Sequence, residues 1–272
     1  MLNKKVIGFI GAGNMAEALV KGLLSSRAVK ASQIIVSDRD KKKTASFNRI
    51  YRVRAVKNNT EVVRVCDILI LAVKPVHIKD VVREIAPLLK VRQTVISIAA
   101  GTPTASIEKL LKAGVPVIRV MPNAPALIGK GMAVVSRGRY ATQSHAQRVL
   151  ELFRSVGKAI LLPEKYMDAV TAVSGSGPAY LFYLLESMAE AGQKAGLPKA
   201  AALSLAAETL SGAAQMAGCP GADPVQLRER VTSKGGTTQA ALAVLKKKHY
   251  KRSLILAVLA ASRRSRQISR SS

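Results

Sequence analysis

Cysteine is nearly absent. Only Cys66 and Cys219 occur in 272 residues, far apart, so neither a disulfide framework nor a Cys-based zinc site is indicated. Histidine is as sparse: His77, His145 and His249 are scattered, none at a ligand spacing from another His, Cys or carboxylate, and no metal is expected. Aromatic residues make up 4% of the chain, which leaves few stacking platforms for single-stranded nucleic acid. No apolar run reaches the length of a membrane span, and the start lacks a charged leader followed by a continuous apolar core; a soluble, cytoplasmic protein is expected. Acidic residues are also scarce, 16 Asp+Glu against 43 Lys+Arg, for a formal net charge of +27. Such a field favours polyanions, but the cations are dispersed and no helix-turn-helix, finger or RNP aromatic pattern accompanies them. We read the charge as a solvated surface property that gives salt-sensitive, nonspecific polyanion binding. Neither a specific nucleic acid nor a membrane is expected as a partner.

What remains is a chain that is 49% hydrophobic, enough to bury a sizeable core in two domains. From residue 6 to about 162, short β-rich runs alternate with helical stretches, the pattern of a parallel-rich α/β sheet of Rossmann type, assigned to residues 1–163. Strands are expected at 6–10, 33–37, 68–72, 94–97, 117–120 and 132–136, with helices at 61–66, 78–89 and 106–111. Residues 164–272 lose the strand signal and read as an all-α domain, with helices at 180–195, 199–217, 224–231, 237–247 and 249–266. These helices are apolar over more than one face, as in residues 200–207. A helix buried on several sides needs partners, which predicts a homodimer interlocked through this half.

The first strand breaks on glycines and restarts as a helix. Gly11 allows a tight turn, Gly13 lets backbone approach a pyrophosphate, and Ala16 stands where a small residue permits close helix–strand packing. The helix N-terminus then offers free N–H groups and a favourable dipole to the phosphates. After the second strand, Ser37, Asp38 and Arg39 fall where such a site reads the adenosine ribose. Asp38 suits a 2′-hydroxyl and hence NAD, whereas Ser37 and Arg39, with the run Lys41-Lys42-Lys43, suit the 2′-phosphate of NADP. Lys74, in the turn Ala72-Val73-Lys74-Pro75, sits at a strand C-terminus where open α/β sheets place ligands; it reads equally as a loop lysine before a helix-starting proline. In the helical half, residues 173–180 (VSGSGPAY) and 231–238 (VTSKGGTT) each place hydroxyls and backbone N–H groups before a helix, an arrangement that suits a carboxylate and also an ordinary cap.

Taken together, these motifs resemble the pyrroline-5-carboxylate reductase family over nearly the whole chain. The resemblance is carried by IGFIGAGNMAEAL at 7–19, LAVKP at 71–75, VIRVMPNAPALIGKG at 117–131, VSGSGPAY at 173–180, AGLP at 195–198, VTSKGGTT at 231–238 and SRRSRQ at 262–267. It implies hydride transfer from NAD(P)H to the C=N carbon of Δ1-pyrroline-5-carboxylate, giving L-proline, without a metal. NADP(H) is favoured and NAD(H) admissible.

By the same resemblance, Ile10, Gly11, Ala12, Gly13, Asn14, Met15, Ser37, Asp38, Arg39, Asn59, Ala72, Val73, Lys74, Pro75, Ala99 and Ala100 line the cofactor, with Met121, Pro122 and Asn123 near the nicotinamide. Ser233, Gly235, Gly236 and Thr237 hold the substrate carboxylate, Ser176 helps form the pocket, and the Thr238 hydroxyl, the catalytic candidate, meets the imine nitrogen. A homodimer through the C-terminal helices is implied, in a family whose dimers also assemble into larger rings. The chain departs from the pattern at Lys234, where the family carries proline. Lysine there frees the loop and adds a cation beside the expected carboxylate site. Two other readings remain open at this stage: a hydroxyacid dehydrogenase of related two-domain architecture, and a basic NADP-sensing or nucleic-acid-binding protein.

Overall fold

Strand β1 (Ile7–Ile10) is buried along its whole length, the mark of a strand covered on both faces of a parallel sheet. In the computed structural model, which describes residue 2 and residues 4–271, β1 runs into helix α1 (Asn14–Ser25). The chain continues through β2 (Ile34–Ser37), α2 (Lys41–Tyr51), β3 (Arg54–Val56), α3 (Asn59–Val65), β4 (Ile68–Leu71), α4 (Ile78–Ile85), β5 (Thr94–Ser97) and α5 (Thr104–Glu108). It completes the sheet with β6 (Val117–Met121), β7 (Gly131–Arg137), α6 (Gln143–Arg154) and β8 (Gly157–Leu161).

The eight strands lie in the order β3-β2-β1-β4-β5-β6-β7-β8. The first six pair in parallel. β7 then runs antiparallel to β6, with Met121 opposite Val134, and β8 pairs in parallel with β7. The expected sheet is therefore parallel-rich, and it holds two strands that the sequence pattern did not mark, β3 and β8. Alternate residues feed two cores: Phe9, Val36 and Ile70 pack with Ala16, Leu19 and Phe153 on one face, while Ile10, Ile35 and Leu71 pack with Val62, Val81 and Ile107 on the other. This period of two is what a strand buried on both faces requires.

Beyond the sheet come the short α7 (Met167–Val170) and a π-helical turn, Thr171–Gly175, which takes in the first residues of the glycine motif expected to precede a helix. The chain divides into two compact units, one comprising Met1–Ser176 with Ala261–Ser272 and the other Gly177–Ala260. In the second unit, α8 (Gly177–Lys194) and α9 (Lys199–Ala217) pair across Gly192, whose α-carbon faces Ala202: a Cβ there would come 3.1 Å from the Ala202 Cβ. α10 (Pro224–Arg230), α11 (Thr237–Lys247) and the start of α12 (Tyr250–Ser271) follow. Only Ala189, Ala202 and Ala206 of this unit are buried, while Phe182 is 64% and Tyr183 72% exposed.

The latter part of α12 belongs to the first unit. Ser265 Oγ donates to Asp168 Oδ1 at 2.8 Å and Ser269 Oγ at 3.3 Å. Ile268 lies on Gly101, where an added Cβ would come 2.5 Å from Ile268 Cγ2.

Candidate functional site

The turn after β1 is fastened to two neighbouring strands. The Gly11 N–H donates to the Ser37 carbonyl at 2.8 Å, and the Ala72 N–H donates to the Ile10 carbonyl at 2.8 Å. Gly11 has φ +104, and a Cβ would stand 2.5 Å from the Ala72 carbonyl oxygen, so both backbone conformation and close approach require glycine. Gly13 differs. A Cβ there would meet nothing within 4 Å, so protein packing does not call for glycine at this position, and open space lies over the turn. Gly13 also caps α1 without any side-chain hydrogen bond to the first turn, leaving its N–H groups to an anion.

This space is a cavity of about 310 Å³ at the C-terminal ends of β1, β2 and β4, at the lower end of small-ligand sites. Of the expected cofactor residues, Ile10, Gly11, Gly13, Asp38, Arg39, Asn59, Ala72, Val73 and Lys74 line it together. Lys43, His77 and Val81 line it as well. Lys43 belongs to the lysine run whose positive potential the sequence showed, but nothing singled out that lysine among its neighbours. His77 closes the short turn that leads into α4 and Val81 lies on α4 itself, and no sequence motif marks either of them.

Asp38 is the single carboxylate on this lining, and both its oxygens are engaged. Oδ2 accepts the Ala12 N–H at 2.7 Å and Oδ1 accepts the Asp40 N–H at 2.8 Å. Asp38 thus braces the glycine turn against the end of β2, and the Ala12 N–H is spent on that brace. Ser37 is 1% exposed and its hydroxyl donates to Asn59 Oδ1 at 2.8 Å, while Asn59 Nδ2 donates to Glu84 Oε2 at 2.8 Å. Arg39, Lys43 and Lys74 also face the cavity, and none of them has an ion-pair partner among the described residues.

The remaining expected residues lie off this cavity. Asn14 and Met15 open α1, Pro75 borders a different cavity, and Ala99 and Ala100 follow β5. Met121, Pro122 and Asn123 form a second cluster at the end of β6. Asn123 Nδ2 donates to the Ser174 carbonyl and hydroxyl, both at 3.3 Å, while its Oδ1 accepts the Met132 N–H at 2.8 Å. Gly175 packs on Met121 Cε, and the Ser176 N–H closes the π-helical turn on the Thr171 carbonyl at 2.8 Å. Cys66 takes no part. Its thiol is buried, and burial pushes it up to about 12.

In the second unit, Ser233, Lys234, Gly235 and Gly236 form the loop before α11. The Gly236 N–H returns to the Ser233 carbonyl at 3.1 Å, and Gly236 caps the helix without a side-chain bond. The Gly235 N–H, expected on a substrate carboxylate, donates to Gln239 Oε1 at 2.5 Å: Gln239 lies one helical turn on, and its side chain folds back over the loop. Thr237 and Thr238 open α11.

Comparisons with known proteins agree across the whole chain. A family model described as "Pyrroline-5-carboxylate reductase dimerisation" matches residues 164–268, and one described as "NADP oxidoreductase coenzyme F420-dependent" matches residues 6–101. A pyrroline-5-carboxylate reductase of Pisum sativum is 41% identical over 264 residues, covering 97% of this chain and 96% of its own. Among solved structures, a pyrroline-5-carboxylate reductase from Coxiella burnetii superposes with TM-score 0.91 at 35% identity, covering 98% of this chain and 99% of that one. The pyrroline carboxylate reductase of Plasmodium falciparum with NADP bound gives 0.89 at 30% identity and the same coverage.

Proposed function

The chain belongs to the pyrroline-5-carboxylate reductase family, and on that premise we propose that it reduces Δ1-pyrroline-5-carboxylate to L-proline, the last step of proline biosynthesis. The observation that carries the reading is the glycine-turn cavity of a nicotinamide-dependent oxidoreductase in a chain whose helical half matches the family's own dimerisation domain. The bound cofactor supplies a hydride to the imine carbon, and the ring nitrogen takes a proton.

In this reading the α1 N-terminus and Gly13 receive the pyrophosphate. The loop carrying Ser233, Gly235, Gly236 and Thr237 holds the substrate carboxylate, the Gly235 N–H leaving Gln239 to do so. The Thr238 hydroxyl donates to the imine nitrogen and positions it for protonation. Ser176 and the cluster around Met121, Pro122 and Asn123 border the reacting ring.

NADPH is the preferred cofactor. Both oxygens of Asp38 are engaged by backbone N–H groups, so the residue that would single out a 2′-hydroxyl serves the turn, while Arg39 and Lys43 stand on the lining as partners for a 2′-phosphate. The exposed apolar side chains of α8 and α9 support a homodimer built through the helical half.

The decisive test is oxidation of NADPH and NADH by the purified protein with pyrroline-5-carboxylate. Turnover with proline as product is expected, faster with NADPH. Absence of turnover with either cofactor refutes the assignment.

A further inference from the structure

A second cavity lies in the first unit, bounded by the start of α4, by α5 and by the end of α12, with a volume of about 430 Å³. Its apolar wall includes Ile78 and Ile107, 2% and 1% exposed, and Ile268. Two cations stand on it from separate elements, Lys79 on α4 and Arg264 on α12. Neither has an ion-pair partner among the described residues, Arg264 Nη1 donating to the neutral Gln267 Oε1 at 3.2 Å, and no carboxylate lines the cavity: Asp80, next to Lys79 in sequence, pairs with Arg83 at 3.7 Å. Two hydroxyls complete the lining. Thr102 is 3% exposed and its Oγ1 has no hydrogen-bond partner among the described residues; Ser106 sits in α5 across the same space. An unpaired hydroxyl in a buried setting carries its desolvation cost in full until something bonds it.

We propose that this cavity is a separate ligand site for a small organic dianion, such as a phosphate monoester with an apolar body. The two unpaired cations set the charge of the ligand, the hydroxyls of Thr102 and Ser106 supply donors to its oxygens, and the isoleucine wall takes its carbon skeleton. The site adjoins the cofactor cavity without sharing a residue with it, since Lys74 lines one and Pro75 the other. It stands independently of the reaction assigned above.

Titration calorimetry with phenyl phosphate tests the proposal, on protein saturated with NADP⁺ so that the cofactor cavity is filled, at an ionic strength of about 0.15 M to screen the basic surface. One site per chain is expected. Lys79→Ala and Arg264→Ala should each weaken binding about tenfold, as should Val76→Asp, which places an acid at a lining position that is 76% exposed. Lys158→Ala, which removes the same charge from β8, should leave it unchanged, and inorganic phosphate, lacking an apolar body, should bind more weakly. The proposal is overturned by lack of saturable binding, by an equal loss in Lys158→Ala, or by equal affinity for phosphate and phenyl phosphate.

Discussion

Arg119 Nη1 lies 3.3 Å from Glu164 Oε1, and the same carboxylate accepts the Thr104 N–H at 2.8 Å and the Thr104 hydroxyl at 2.6 Å. Three segments meet at this carboxylate: β6 two residues before Met121, the start of α5 just beyond Gly101, and the chain leading into α7 and the π-helical turn. The Arg119 side chain is 5% exposed and its Nη2 has no partner among the described residues, so its charge depends on Glu164. Glu164→Gln keeps the shape and an acceptor for Thr104 but strands the guanidinium. A loss of about 2–4 kcal/mol is expected, somewhat less than for a fully buried pair because Glu164 is 26% exposed. Denaturant unfolding measures it, and an unchanged midpoint would show that the arginine does not rely on this carboxylate.

Arg39→Ala and Lys43→Ala separate the two cofactors. Each removes a charge-assisted bond to a 2′-phosphate and nothing from a 2′-hydroxyl, so NADPH affinity should fall about tenfold, or ~1.4 kcal/mol, with NADH affinity nearly unchanged. Cofactor fluorescence titration reads both constants. Equal losses for the two would mean that these cations meet the shared pyrophosphate instead.

Thr238→Ala should lower kcat at least tenfold, about 1.4 kcal/mol of barrier, and leave the KM for NADPH in place. Steady-state kinetics with each substrate varied in turn decides the matter. A variant with full turnover removes Thr238 from the chemistry.

Alkaline pH should weaken the fold through Cys66. Its thiol titrates near 9.0 in the open chain and, desolvated by burial, at about 12 in the fold, so the folded state favours the protonated form. Stability is therefore at its full value below pH 9 and declines as the pH rises towards 12, by roughly 4 kcal/mol in the limit. Tyr51, raised by burial and its bond to Glu17 to about 12 from 10.0, adds to the same decline. Unfolding measured between pH 8 and pH 11 should show a shallower slope in Cys66→Ala; identical slopes would assign the whole decline to other groups.

Much of the architecture was legible because its signals are local. A four-residue apolar strand ending on Gly11 and the Ala- and Leu-rich helices α9 and α11 announce themselves within a short window of sequence. β3 does not, since Arg54-Ala55-Val56 is three residues long and only partly buried and pairs at a sheet edge. β8 alternates buried Ala159 with the exposed Lys158 and Ile160, a half-covered strand whose residues Gly157-Lys158-Ala159 carry no β-rich run. The reversal at β7 depends on how a loop turns, and no pattern within the strand encodes that. Nine of the residues that motifs marked line the cavity over the glycine turn together, but the part played by Asp38 was hidden. Its side chain is acidic under either cofactor, and only the positions of Ala12 and Asp40 show that the carboxylate is already engaged.

The return of α12 to Asp168 gives the protein a timetable. During synthesis at about 5–20 residues per second, the 97 residues between Asp168 and Ser265 take roughly 5–20 s to emerge. Throughout that interval the sheet can assemble, but Gly101 lacks its cover and Asp168 its serine partners. The newborn first unit therefore waits, incomplete, for the helical unit to be made before its own last contacts can close.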